Sequence, residues 1–455
     1  MRDSDDRAGS RHRAATRAGE ADQSGAEFVP AREAAELLGV KLATLYAYTS
    51  RGLVQSVAAD RGRRRLYRRS DLERLRARRD ARAGHGPVAA AALRFGEPVL
   101  DSSITSISVE SGPSYRGRAA AILAEERIPF ETVAEILWTD LKAPLDDAEI
   151  VDDWRVGRLG VPAESLCALL PAEASPLAVL ALLVPALAAR DPGRFTELTE
   201  SVVPRARRLI RRMAAGLALA RDEQAHAAAL EAALSAPTLA SAIAHALGAR
   251  GGAAGIAAID RALVLGADHE LNASTFAARV AASTGADVYG GVSAALACLA
   301  GPRHGGASDR VEALLAEIGE PAEAERVVYA RQRRGEAIDG FRHPLYPDGD
   351  PRGAMLLELA REIDADSPLV RTFGALVEAM AEAGAGHPNI DAGLVALAVS
   401  LGLPPGSAAG LFAIARSAGW VAHMLEQYQA GYLVRPRARY RPTLDTGQTI
   451  EDAGS

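Results

Sequence analysis

Six short stretches of this 455-residue sequence gather residues able to move protons or hold anions, each near a break in an otherwise helical pattern. Residues 267–275 carry Asp268, His269 and Glu270; residues 301–307 set His304 among Gly301, Pro302, Gly305 and Gly306; residues 340–352 hold Arg342, His343, Tyr346, Asp350 and Arg352. Downstream lie Asn389 and Asp391, then Arg416, Trp420 and His423, then Arg435. A carboxylate can take a proton from a weak acid, and histidines can donate to developing negative charge. An arginine fork matches a carboxylate with two parallel hydrogen bonds. Glycines and Pro302 around His304 let backbone approach a ligand closely. Taken singly, each residue also has a structural reading: a hydrogen-bonded histidine, Gly305-Gly306 as a helix C-cap, Asp391 as the N-cap of the apolar helix after it, His423 as core filler beside Trp420.

The ordered set says more than its members. These six motifs in this order, with nine residues from His343 to Arg352, resemble the citrate synthase family from roughly Ile107 to Thr443. Tyr115-Arg116-Gly117 and residues 129–138 resemble that family's first block. The resemblance implies a two-lobed, all-α, homodimeric enzyme that condenses acetyl-CoA with oxaloacetate, giving citrate and CoA through an enol(ate). Carried over position by position, Asp391 is the base for the acetyl methyl proton, His304 donates to the thioester oxygen and His343 to the keto oxygen. His269, Arg352 and Arg416 hold the dicarboxylate, and Arg435 reaches in from the other subunit. No metal or cofactor is implied, since the CoA thioester is a substrate. Propionyl-CoA, giving 2-methylcitrate, is the alternative acyl donor, because one methylene in a pocket is worth only about 1–3 kcal/mol. One departure concerns CoA: where the family usually has Gly-His-Arg, this chain has Arg342-His343-Pro344. Pro344 fixes φ and removes an amide donor, while Arg342, displaced by one position, could still serve a CoA phosphate.

The elements that must position these residues are mostly helical. From about 115 to 440, Ala/Leu-rich stretches with a 3.6-residue period follow one another, punctuated by Pro and Gly. The resemblance divides this body into a larger lobe, 99–308 and 416–455, and a smaller lobe, 309–415, that closes over substrate and excludes water. Ahead of it, residues 28–82 read as a separate unit. A helix from Ala31 to Leu38, a turn at Gly39 and a second helix from Leu42 to about Thr49 have helix-turn-helix spacing. A β-like stretch with the basic tip 61–65 follows, returning through Leu66-Tyr67, and Ser70 to Glu73 form a capping box opening a third helix. The segment resembles the MerR/excisionase type of winged helix. Between Asp60 and Arg82 stand eleven arginines and four acids. Arg63, Arg64, Arg65, Arg68 and Arg69 could meet phosphates of duplex DNA while Lys41, Thr44 and Tyr48 face a major groove. A rival function is therefore a DNA-binding regulator whose body senses a metabolite; a solvated basic face on a protein-docking module is the plainer reading. Residues 83–98 read as a linker and 1–27 as a disordered tail.

Composition sets the outer bounds. At 48% hydrophobic and 24% charged the chain lies in the globular range, and a net charge of −6 argues against nonspecific coating of nucleic acid by the whole molecule. Two cysteines, Cys167 and Cys298, are too few for a disulfide framework and suit a reducing cytoplasm. The first twenty-five residues lack the apolar run of a secretory signal. The most apolar run, Ala174 to Ala189, spans 16 residues with two prolines, short of the roughly 20 a membrane-crossing helix needs, and is expected as a core helix.

Overall fold

The computed structural model describes residues 28–50, 54–59, 64–69, 71–72, 100–139, 146–171 and 173–437. The expected tail and linker, and the Ser70 and Glu73 of the expected capping box, lie outside these residues, as do Arg61 and Arg63. The chain forms two compact units, 1–101 with 437–455, and 102–436.

In the first unit, helices Ala31–Leu38 and Leu42–Ser50 stand where the 3.6 period puts them. The wing is a hairpin: Ser56–Ala59 pairs antiparallel with Arg64–Arg68, in register Ser56 to Tyr67. A third strand, Phe28–Pro30, adds to the other edge of Arg64–Arg68. Sequence periodicity does not announce a three-residue strand, because so short a run fits any period. Alternation in the hairpin turns Tyr67 inward, onto Val29, Ala34, Ala35, Leu38, Leu45, Val54 and Leu72, which form this unit's core.

Among the described residues the second unit is helical apart from one small antiparallel sheet, Thr105–Ser108, Gly112–Tyr115 and Arg118–Ala119. Its hydrophobic core is continuous from Ile104 to Tyr428. The helix Pro176–Ala189 starts at a Ser175 cap with Pro176 in its first turn, where a missing N–H costs nothing. The axis of the core is the helix Ser407–Ala430, buried along nearly its whole length and on every side. It is long and apolar enough to cross a membrane, but its apolar window is wholly covered by protein, the environment of a core helix. Around it pack helices Gly252–Gly266, Ala273–Ala282, Val288–Leu299 and Ile390–Ser400. The breaks between these helices are where the polar residues converge.

Candidate active site

The first break joins helices Gly252–Gly266 and Ala273–Ala282. Glu270 sits at positive φ, and Asn272 caps the second helix by accepting from the Thr275 amide at 3.0 Å. The loop is fastened to the central helix at Gly419, whose amide donates to the Ala267 carbonyl at 3.0 Å. A Cβ at 419 would collide with that carbonyl and with the Asp268 carboxylate. Asp268 is fully buried; its Oδ2 accepts from the Glu270 amide at 3.2 Å and faces His423 Nε2 at 3.4 Å. His423 Nδ1 faces the Arg279 guanidinium, which only donates, so Nε2 is the nitrogen that donates to Asp268. Arg279 in turn pairs with Glu426 at 2.7 Å. Burial pushes the Asp268 carboxyl up, but His423 and Arg416 outweigh it and hold it below its ordinary value. His423 is thus a member of a buried ionic chain that anchors the loop, and more than core filler.

Next in the loop, His269 is buried and its Nε2 lies 2.6 Å from Tyr346 Oη. Burial, reinforced by Arg352 and Arg416, holds its pKa well below 6.5, so the ring is neutral at pH 7. Its ring centroid stands 5.3 Å from that of His343, and the His343 and Tyr346 rings lie 4.8 Å apart.

His343 is carried by a segment paired with residues 385–389: Arg342 N donates to His387 O and Asn389 N to Gly340 O, both at 2.8 Å, and Phe341 bridges Pro388. The Leu345 amide donates to His343 Nδ1 at 3.1 Å, which leaves the proton on Nε2 and makes that atom a donor. Burial, then Arg352, lowers its pKa. Pro344 costs no bond here, because the amide used is the next one. Arg342, at positive φ, donates through Nε to Ala385 O at 2.6 Å and Nη2 to Gly384 O, so it braces the 384–386 turn.

Arg352 differs from the expected free fork. Asp350, the N-cap of helix Pro351–Asp364, accepts from Arg352 Nε at 2.9 Å and Nη2 at 2.8 Å, and also from the Ile390 amide at 3.2 Å. One carboxylate two residues away therefore occupies two donors, and only the buried Nη1 has no partner. The same carboxylate ties this helix to the start of Ile390–Ser400, which bears Asp391.

Asp391 is not the cap of its helix. Asn389 Oδ1 accepts from the Asp391 and Ala392 amides at 3.0 and 3.3 Å, which frees the Asp391 carboxylate in the first turn. Its Oδ1 accepts from Ser308 Oγ at 3.2 Å. Burial raises its pKa to about 6, with Ser308 and Arg352 opposing. Ser308 lies in helix Gly306–Ile318, immediately after His304; Gly305 is at the N-terminal end of this helix, not at the C-cap of the one before.

His304 Nε2 lies 2.9 Å from Ser274 Oγ, which also receives the Trp420 indole N–H at 3.2 Å and stands 2.8 Å from Asn272 Oδ1. Ser274 has one proton, which its 2.8 Å contact donates to Asn272 Oδ1; turned to His304 Nε2 instead, that proton leaves Nδ1–H as the imidazole's donor. Burial, then Arg416, pushes the His304 pKa down to about 4. The ring meets Phe412 edge-on, and Arg416 stacks on the same Phe412 at 4.5 Å. Arg416 is buried, donates from Nε to Gly266 O at 2.9 Å, and is lowered by burial to about 10, still cationic at pH 7.

Six of the seven expected body residues thus share one network, together with Tyr346, Asp350, Ser274 and Ser308. Arg435 stands exposed on the extended segment beyond Gly431, outside the network. In the first unit Lys41 and Arg65 are exposed and Thr44 is half-buried, whereas Tyr48 packs against the core; Arg64 lies on the hairpin strand. Among the described residues no His, Cys, Asp or Glu group could hold a metal ion. The chemistry on offer is a carboxylate poised near neutrality, neutral imidazole donors, and two buried cations: the equipment to remove a proton beside a carbonyl and to hold an anionic second substrate.

Comparison with known proteins gives the context. A family model described as "Citrate synthase, C-terminal domain" matches residues 94–437, and one described as "Helix-turn-helix domain" matches 31–80. The chain is 40% identical over 188 residues to citrate synthase 2 of Bacillus subtilis, a match that spans 41% of this chain and only 50% of that protein. It is 31% identical over 370 residues to citrate synthase of Haloferax volcanii (78% of this chain, 96% of that one) and 32% over 352 residues to 2-methylcitrate synthase of Mycobacterium tuberculosis (75% and 88%). Among solved structures, a ternary complex of Thermoplasma acidophilum citrate synthase with carboxymethyl coenzyme A and oxaloacetate is similar at a TM-score of 0.66 and 25% identity, covering 77% of this chain and 96% of that one. Citrate synthase of Thermotoga maritima is similar at 0.61 and 28%, covering 78% and 96%.

Proposed function

This chain belongs to the citrate synthase family, and from that premise we propose that it condenses acetyl-CoA with oxaloacetate, Asp391 acting as the base. The observation that carries the reading is Asp391 itself: a carboxylate raised to about 6, released from capping by Asn389, in one network with three neutral histidines and two buried arginines. Asp391 takes a methyl proton from the thioester, and the charge that moves to the thioester oxygen meets His304 Nδ1–H. A neutral donor suits this step: a pKa near 4 leaves the imidazole uncharged at pH 7, and the N–H of a neutral imidazole is a weak acid, closer to an enol in acidity than an imidazolium is. The enol carbon then attacks the keto carbon, whose oxygen takes a hydrogen bond and then a proton from His343 Nε2; His343 regains its proton from solvent as Asp391 releases the one it took. Water hydrolyses the citryl thioester and releases CoA. Arg352 Nη1, Arg416 and His269 hold the dicarboxylate; Arg352 offers its Nη1 there because Asp350 engages Nε and Nη2.

Other parts of the reading complete the enzyme. Residues 309–415 form a smaller lobe that closes on the larger, the protein works as a cytoplasmic homodimer with Arg435 donated across the interface, and no cofactor takes part. The similarity to a 2-methylcitrate synthase over most of its length supports propionyl-CoA as the second acyl donor. The exposed Lys41 and Arg65 of the helix-turn-helix unit support duplex DNA as a further partner, and with it the regulator reading. Release of CoA, followed with a thiol reagent, from acetyl-CoA and propionyl-CoA with and without oxaloacetate, is the test. Oxaloacetate-dependent release from either thioester supports condensation and ranks the two; release from neither leaves the regulator.

A further inference from the structure

His304 and His343 reach the candidate site on two separate loops, and one exposed arginine holds both loops. Arg310 stands on helix Gly306–Ile318, which also carries Ser308. Its Nε lies 2.7 Å from Asp339 Oδ2 and its Nη2 donates to Asp339 Oδ1 at 2.8 Å, a two-bond fork onto one carboxylate. Its Nη1 donates to the Pro302 carbonyl. Pro302 comes two residues before His304, and Asp339 four before His343. The turn around His304 uses its own amides elsewhere, His304 N on Gly301 O and Gly305 N on Leu299 O, both at 2.9 Å, which leaves the Pro302 carbonyl to the guanidinium.

The backbone beside Asp339 is packed to the same end. Gly340, at φ +81°, lies where a Cβ would come within 2.5 Å of Val311 Cγ2 and 3.1 Å of Ala392 Cβ. Glycine therefore lets the chain run hard against helix Gly306–Ile318 on one side and the helix of Asp391 on the other. From its buried face the first of these helices sends Ser308 to the Asp391 carboxylate. Residues 308 and 310 of one helix thus reach the base and both histidine loops. Asp339 is the main cause of a raised Arg310 pKa and Asp391 adds to it, so the fork lies within electrostatic reach of the base. The Arg310 and Asp339 side chains are 43% and 29% exposed, and an ion pair so open to water contributes little to stability. What a fork held on three oxygens supplies is geometry, and a shift of about 1 Å in a reacting group can cost about 10²-fold in rate.

We propose that Arg310 is a positioning residue for the condensation: with Asp339 it sets the spacing between the His304 turn and the His343 segment. The role rests on the condensation reading above. Among the described residues neither side chain bonds to His304, His343 or Asp391, so each acts through the backbone it holds. The experiment is steady-state CoA release by the full-length protein, with oxaloacetate and whichever of acetyl-CoA and propionyl-CoA turns over both varied. Wild type, Arg310→Ala, Asp339→Ala and the double variant are compared, with a thermal melt of each. In both single variants kcat should fall at least about tenfold while the KM for each substrate stays within about twofold, because the loss falls on the reacting geometry and not on binding. The melts should match the wild type's. The double variant should be no slower than Arg310→Ala, since removing the arginine already opens the whole fork. The proposal is overturned by a kcat within about twofold of the wild type's in the single variants, by a KM that rises as far as kcat falls, or by losses that multiply in the double variant. It is equally overturned by a kcat that falls only in step with a lowered melt, which would make the pair structural. A wild type that releases no CoA from either thioester fails the condensation reading and this role with it, whereas an active wild type with unimpaired variants fails this role alone.

Discussion

Replacing Asp391 with Asn should stabilise the protein at neutral pH while abolishing the proposed proton transfer. Burial raises this carboxyl from 3.8 to about 6, so its charged form is disfavoured in the fold relative to the unfolded chain. About two pKa units correspond to roughly 3 kcal/mol of folding free energy lost at pH 7, part of which the amide recovers, because it has no charge to desolvate. The sign follows from proton counting. Between about pH 4 and 6 the native state holds a proton that the unfolded chain has released, so wild-type stability rises as pH falls through about 6 and is complete below about 4. Asp391→Asn should therefore melt above the wild type at pH 7–8, by an amount worth about 1–3 kcal/mol, and the difference should shrink to near zero by pH 4. Ser308 can still donate to the Asn oxygen, so little is lost in hydrogen bonding. Denaturant unfolding of both proteins from pH 4 to 8 measures this directly. An Asn variant less stable than the wild type at pH 8, or a difference that does not change with pH, would refute the claim that burial strains this carboxylate.

Other perturbations test other parts. Gly419→Ala should cost about 1–3 kcal/mol of stability through overpacking and raise the KM for oxaloacetate, since the new methyl drives Asp268 and the His269 loop away from the central helix; melting and steady-state kinetics report the two effects separately. Arg435→Ala should raise the KM for oxaloacetate by the worth of a charge-assisted bond, on the order of 1.5–3 kcal/mol. Mixing that variant with inactive Asp391→Ala subunits should restore part of the activity if Arg435 acts across a dimer, and nothing if it does not. Replacing Arg63, Arg64 and Arg65 together with Ala should flatten the salt dependence of duplex binding by about two to three units of slope and leave condensation kinetics unchanged; failure of the wild type to retard any duplex in low salt would leave the wing as a docking surface.

That His269, His304, His343, Asp391, Arg352 and Arg416 come together was legible from motif order and spacing; Arg435, read from the same motifs, stands outside their network. The supporting partners of those six were not legible. Tyr346 and Ser274 act through contacts with residues 77 and 30 positions away, a separation that no local pattern encodes. Asp350 was nearer to reach: an Asp followed by Pro is a helix start, and a cap two residues before Arg352 is placed to hold its guanidinium. Asn389 likewise precedes the apolar run of its helix by one residue, and is a better cap than Asp391 inside it. The central helix gave a strong signal of length but none of face, because a helix buried all round has no amphipathic period. The three short strands at 105–119 carry Gly, Pro and Ser where alternation would normally show. Arg342, read as able to serve a CoA phosphate, has its Nε and Nη2 on the backbone carbonyls of Ala385 and Gly384.

The most direct test of the account is the turnover of Asp391→Ala with saturating acetyl-CoA and oxaloacetate, followed as CoA release beside the wild type. Loss of the base should lower kcat at least about 10²-fold with the fold intact by circular dichroism. A kcat equal to the wild type's would contradict Asp391 as the base, and with it the mechanism built on it.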